Sequence, residues 1–135
     1  MQLSVVIPCY NAAATIGEQL EALARQEWDG DWEVVVSDNG STDGSQDVVH
    51  GFKDRLPELR LVDSSATRGA SYARNVGIEQ ARGDWILTCD DDDVAADNYV
   101  AAMAEALGIH DFVACRHDPR PLNEPWLTES WPCAQ

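Results

Sequence analysis

Positive charge is scarce in this chain. Nine lysines and arginines face 24 aspartates and glutamates across 135 residues, a formal net charge of -15. That balance repels phosphate backbones and anionic lipid at long range, so nucleic acid and membrane surfaces are excluded as partners unless a cation intervenes. Long apolar runs are also missing. None approaches the roughly 20 residues of a membrane-spanning helix, and the opening MQLSVVIP has no charged stretch leading into a hydrophobic one. A soluble, cytoplasmic protein is the expectation. Cys9, Cys89, Cys115 and Cys133 show no CxxC spacing and sit mostly in apolar runs, which predicts reduced, packed thiols in place of disulfides or a zinc site. Two glycine signatures are absent as well. The turn SDNGSTDGS (37 to 45) does not fit GxGxxG, carries no P-loop lysine and lacks the carboxylate spacing of an EF-hand, which argues against those three kinds of site.

What the chain does have is regular alternation. LSVVIP (3 to 8), EVVVS (33 to 37), LRLVD (59 to 63), WILTC (85 to 89) and DFVAC (111 to 115) read as strands. Between them lie helical patterns: Ile16, Leu20 and Leu23 on one stripe, a segment near 43 to 54, one near 69 to 82, and one near 97 to 107 with Asp97 as N-cap. Strands that are continuous apolar runs, each followed by a helix, imply an α/β fold with a mostly parallel sheet covered by helices on both faces. Gly69, Ala73 and Gly77 form a small-residue stripe that would let their helix approach the sheet closely. Residues 1 to 115 form one domain in this reading. The tail from 116 to 135, with four prolines and two tryptophans, is expected to be irregular.

In open parallel sheets the ligand lies beyond the carboxyl ends of the strands. Pro8, Tyr10 and Asn11 follow the first strand, Asp38 and Asn39 the second, Arg68 the third, and Asp90 to Asp93 the fourth, with Arg74 nearby at the start of a helix. An aromatic face, a polar turn, arginines and carboxylates therefore converge on one edge. Four consecutive aspartates repel one another by roughly 1 kcal/mol per close pair in water, and hard oxygen ligands of this kind suit Mg²⁺ or Mn²⁺. A solvated acidic turn capping the next helix is the plainer alternative. It is weakened by the run's place directly after an apolar strand.

Assembled, these loops resemble family 2 glycosyltransferases of the GT-A, Rossmann-like fold. LSVVIPCYN is similar to that family's opening strand with its base-stacking aromatic, EVVVSDNGSTDGS to its nucleoside-binding turn, and RGASYARNVGIEQARGDWILTCDDDD to its central helix and DXD strand. The resemblance covers about residues 3 to 115. It implies metal-dependent, inverting transfer of a sugar from a nucleotide-diphosphate sugar, with a UDP-sugar favoured, to an acceptor hydroxyl. It places the metal on Asp90 and Asp92, and the nucleotide among Pro8, Tyr10, Asn11, Asp38, Asn39, Arg68, Arg74, Asp90 and Asp91. Asn39 stands where family members often carry a second aspartate. Members usually run on for another hundred or so residues that supply the acceptor site and the general base. This chain is therefore expected to be a truncated, donor-binding half, with no obvious base after Cys115 beyond Glu124 and Glu129 in the tail. Exposed sheet edge would then promote self-association. A non-catalytic nucleotide-sugar-binding subunit and a nucleotidyltransferase are the competing readings, the latter opposed by CYNAAAT where a glycine-rich signature would stand.

Overall fold

The computed structural model describes residues 1 to 118. Four strands, β1 (Leu3–Cys9), β2 (Trp32–Asp38), β3 (Leu59–Asp63) and β4 (Trp85–Thr88), pair in parallel in the order β3-β2-β1-β4. The helices α1 (Ile16–Ala24), α2 (Ser45–His50), α3 (Ala70–Gln80) and α4 (Tyr99–Leu107) fill the connections. Every residue of β1 and β2 is buried, as continuous apolar runs in a sheet covered on both faces require.

The two faces are built differently. On one, Leu3, Val5 and Ile7 of β1 and Val34 and Val36 of β2 join Ile16, Leu20 and Leu23 of α1, Val49 of α2 and Val100 of α4 in a single core. The other face is covered by α3, which comes close enough that a Cβ on Gly77 would stand 2.5 Å from Cγ1 of Val6. Ala73, one turn earlier, is buried too. Only part of the small-residue stripe works this way: Gly69 has open space around it and instead provides the N-cap of α3 at φ 134°, a conformation that glycine adopts without penalty.

Three expectations need correction. DFVAC (111 to 115) is not a strand. Its residues lie outside regular structure and are mostly exposed, because an apolar pentapeptide becomes a strand only where a neighbour completes its ladder, and β4 pairs only with β1 among the described residues. Asp97 does not cap α4. The N-cap is Asn98, with no side-chain cap bond, and the free N–H of Val100 donates to Oε1 of Gln26 from α1 at 2.9 Å, while Asp97 faces Arg25 at 3.7 Å. The thiols are packed at Cys9 and Cys89 but exposed at Cys115; Cys133 lies outside the described residues, as does the tail from 119 onward.

At the amino end of the sheet a buried carboxylate is fully engaged. Glu33 accepts from Ser4 Oγ at 2.7 Å, Arg60 Nε at 2.8 Å and the Arg82 N–H at 2.7 Å, and Ser4 Oγ in turn accepts from the Gly83 N–H at 2.8 Å. Burial alone pushes the Glu33 carboxyl upward, but the Arg60 guanidinium, the Arg82 N–H and the Ser4 hydroxyl together bring it below the ordinary glutamate value of 4.5. The cluster clamps the start of β1, β2 and β3 to the turn that leads into β4.

Two outcomes follow for stability. Gly77→Ala gains helix propensity yet forces a methyl against stiff, buried Val6, so denaturant titration should show a net loss of about 1–3 kcal/mol. Glu33→Gln should cost about 3 kcal/mol near neutral pH, because it leaves Arg60 without its carboxylate. A carboxyl whose folded pKa is depressed stabilises above its unfolded pKa and loses that contribution as pH falls through the folded value. The gap between wild type and Glu33→Gln should therefore narrow below about pH 4.5 in paired urea titrations.

Candidate functional site

The strand order dictates where a crevice opens. After β3 the chain crosses to the far side of β1, so the connections leaving β1 and β4 diverge at their carboxyl ends, the position at which α/β sheets bind ligands. A cavity of about 550 Å³ lies there. Pro8, Tyr10, Asn39, Arg68, Arg74, Asp90, Asp91 and Asp92 all line it, together with Cys9 and the first turns of α3. Asn11 and Asp38 do not.

Tyr10 is 41% exposed, a high value for an aromatic side chain beside a buried strand. The Arg68 guanidinium lies over its ring, 4.6 Å from the centroid, and donates to its hydroxyl. Across the crevice the Tyr10 N–H donates to Oδ2 of Asp91 at 3.2 Å, tying the β1 loop to the aspartate run.

The four aspartates have separate environments. Asp91 is half-buried, and burial, with the Asp92 and Asp90 charges, raises its pKa against the pull of the Tyr10 N–H. Asp93 folds back to accept from the Asp90 N–H at 3.1 Å and faces His117 at 4.0 Å. Asp90 pairs through Oδ1 with Arg74 at 3.1 Å. The Asp92 carboxylate has no hydrogen-bond or ion-pair partner among the described residues. No group of three metal-ligating side chains lies together among the described residues.

The second and third loops are stapled by Asn39. Its amide nitrogen donates to the carbonyls of Ser64 at 2.6 Å and Thr67 at 2.8 Å, and its carbonyl oxygen accepts from the Gly69 N–H at 2.9 Å. Both ends of the amide are thus committed to protein backbone. Asp38, buried, accepts from the Ser41 N–H and from Gln46 Nε2, shaping the turn into α2. Asn11, at φ 47°, accepts from the Thr42 N–H at 2.8 Å and donates its own N–H to Ser41 Oγ at 2.9 Å. Asparagine tolerates that left-handed backbone better than most residues. Asp43 adds two more ties, to the N–H groups of Ala13 and Ser45.

The sequence did not disclose what fixes the aspartate run. The Cys89 N–H donates to the Val6 carbonyl, Gln19 Oε1 accepts from Ala95, and Gln26 donates to the Ala96 carbonyl while accepting from Val100. Both glutamines stand on α1, and nothing in their spacing singles them out from other polar residues of a helix. Cys9, at the end of β1, also lines the cavity. Burial, with Asp91 and Asp38 nearby, pushes its thiol up to about 11, so it is neutral near pH 7 and leaves carboxylates as the anionic groups of the cavity. A second cavity of about 700 Å³ lies behind the run, between α1 and α4, and takes only Asp93 from it.

Comparison with known proteins agrees with this fold. The profile described as glycosyl transferase family 2 matches residues 4 to 131. An uncharacterized glycosyltransferase, YfnE of Bacillus subtilis, is 38% identical over 106 residues, covering 78% of this chain and 27% of that protein. Among solved structures, Staphylococcus aureus TarS 1-349 in complex with UDP superposes at a TM-score of 0.74 with 32% identity, over 82% of this chain and 33% of that one. The mannosyltransferase PcManGT of Pyrobaculum calidifontis, in complex with GDP-Man and Mn²⁺, gives 0.69 and 31% identity, over 78% and 31%. The chain spans about a third or less of each of these relatives, and its fold is that of the GT-A glycosyltransferases. With its parallel sheet, its crevice at the β1–β4 divergence and a profile match across nearly its whole length, the chain belongs to glycosyl transferase family 2.

Proposed function

We propose that this chain is the donor-binding part of a metal-dependent, inverting glycosyltransferase whose donor is a nucleotide-diphosphate sugar, a UDP-sugar in the first instance. The observation that carries the reading is the pairing, across one crevice, of a partly exposed tyrosine ring with carboxylates that keep free oxygens. UDP in the TarS complex, and GDP-Man with Mn²⁺ in PcManGT, are ligands of the same chemical class.

The residues divide the task. Tyr10 offers its ring to the base, and Pro8 lines the same cavity. Arg74 stands beside Asp90 where it can meet a diphosphate oxygen. Asp92 has no partner among the described residues and Asp90 spends only Oδ1, on Arg74, so we assign the divalent cation to these two carboxylates. A two-carboxylate site completed by substrate phosphate oxygens is the usual arrangement for Mg²⁺ and is open to Mn²⁺. Such a cation, when bound, would offset the charge of the departing nucleoside diphosphate. In the transfer itself an acceptor oxygen bonds to the anomeric carbon as the bond to the diphosphate breaks on the opposite face. We assign the acceptor proton to no residue between 1 and 118. Glu124 and Glu129 lie outside the described residues.

The reading extends to association of copies. Ile109 and Phe112 are 75% and 86% exposed, and the outer edge of β4 has no partner strand among the described residues. Light scattering should show a mass above 14.8 kDa that rises with concentration; a monomer throughout would overturn this point.

The donor site is tested by calorimetric titration of UDP, GDP and dTDP with and without Mn²⁺. Metal-dependent binding of one of them is expected. Asp92→Ala, at an exposed position where folding should change by no more than about 0.5 kcal/mol, should weaken that binding by about tenfold or more. Equal affinity with and without Mn²⁺, or an unaltered Asp92→Ala, would reject the metal assignment.

A further inference from the structure

The guanidinium of Arg68 lies over the ring of Tyr10, to which the proposed function brings the base, and both residues line the same cavity. We infer that Arg68 is a gate: it covers the Tyr10 ring in the nucleotide-free protein and is displaced when a nucleobase enters. This rests on the donor-site reading above and adds to it a competitor built into the protein.

Three observations carry it. The first is the contact itself, with the guanidinium 4.6 Å from the ring centroid and a hydrogen bond to the tyrosine hydroxyl. The second is that Arg68 has no carboxylate partner among the described residues, although the chain carries 24 acidic side chains and Arg25, Arg55, Arg60, Arg74 and Arg82 each form an ion pair. Its placement is therefore decided by the aromatic face, which attracts a cation electrostatically. The third is the mounting. Asn39 holds the Thr67 carbonyl and the Gly69 N–H, so the backbone is pinned on both sides of Arg68 while its side chain is exposed to solvent and held by Tyr10 alone among the described residues. A pinned backbone carrying an exposed side chain lets the guanidinium leave the ring without dismantling the loop.

The energetic balance suits a gate and not a lock. An exposed cation–π contact holds the closed position by only a small factor, and stacking of a base on the same ring is at least as favourable. Removing the arginine should then tighten nucleotide binding by about two- to fivefold, the factor that such a contact represents. A residue serving as a phosphate ligand gives the opposite sign.

The experiment is UDP titration in Mn²⁺-containing buffer of wild type, Arg68→Ala and Tyr10→Phe, with thermal unfolding as the check that each variant is folded. In parallel, the aromatic proton signals of Tyr10 are recorded without nucleotide in wild type and Arg68→Ala. Tighter UDP binding by Arg68→Ala, a smaller gain in Tyr10→Phe, which keeps the ring but loses the hydroxyl, and shifted Tyr10 signals are expected. Weaker or unchanged UDP binding by Arg68→Ala, with wild type binding normally, would overturn the gate alone. Absence of UDP binding in all three folded proteins would overturn the gate together with the donor-site reading.

Discussion

The position of β1 is the constraint on which the rest of this structure depends. It pairs with β2 along seven residues on one side and with β4 along four on the other, and the chain reaches those partners by opposite routes. Two connections leave its neighbourhood in different directions, and a crevice lies between them. Tyr10 emerges on one side of that gap and Asp90 to Asp92 on the other, separated in sequence by about eighty residues yet joined by the Tyr10 N–H and Asp91. Burial of β1 on both faces makes this arrangement expensive to disturb. Its apolar side chains pack against α1, α2 and α4 from one side, and α3 lies close on the other because Gly77 has no side chain.

Charge is handled in two ways at the two ends of the sheet. At the amino end Glu33 is sealed from water and every approach to it is occupied by a donor. At the carboxyl end Asp90 and Asp92 are exposed while Asp91 and Asp93 are partly buried, and Asp92 has no partner among the described residues. A chain with so few basic residues cannot neutralise both ends, and its arginines are distributed accordingly: Arg60 serves the buried carboxylate, whereas Arg74 is the one arginine among the described residues that pairs with the aspartate run. The surplus negative charge thus accumulates where a cation would be useful, and the stabilising ion pair stands where none could enter.

Much of this was legible in the sequence, for reasons that can be stated. LSVVIP, EVVVS and LRLVD announce themselves because a strand buried on both faces has no polar alternation, and strand ends then locate the crevice by topology alone. DFVAC carried the same local signal and misled, since strand formation is a property of a pair and the partner is not encoded in the five residues themselves. The Asp97 cap failed for a related reason. The donor N–H of Val100 is satisfied by Gln26 from another helix, and capping by a side chain seventy-odd residues away leaves no mark on the local pattern. Asn39 lines the crevice, but its hydrogen bonds go to the next loop; which groups an amide meets is decided by how two turns come together, not by either turn's composition.

The tethering of the aspartate run by α1 bears on the entropy of ligand binding. The backbone is held at Cys89 by β1, at Ala95 by Gln19, and at Ala96 and Val100 by Gln26, so the freely spanning segment is reduced to a few residues with both ends fixed. A loop so short has little conformational freedom to surrender. Much of its ordering was completed when the protein folded, at the expense of the hydrophobic burial of Leu20 and Leu23 on the same helix. Helix α1 contributes no atom to the crevice, yet it converts folding energy into preorganisation of the carboxylates that a ligand would meet there.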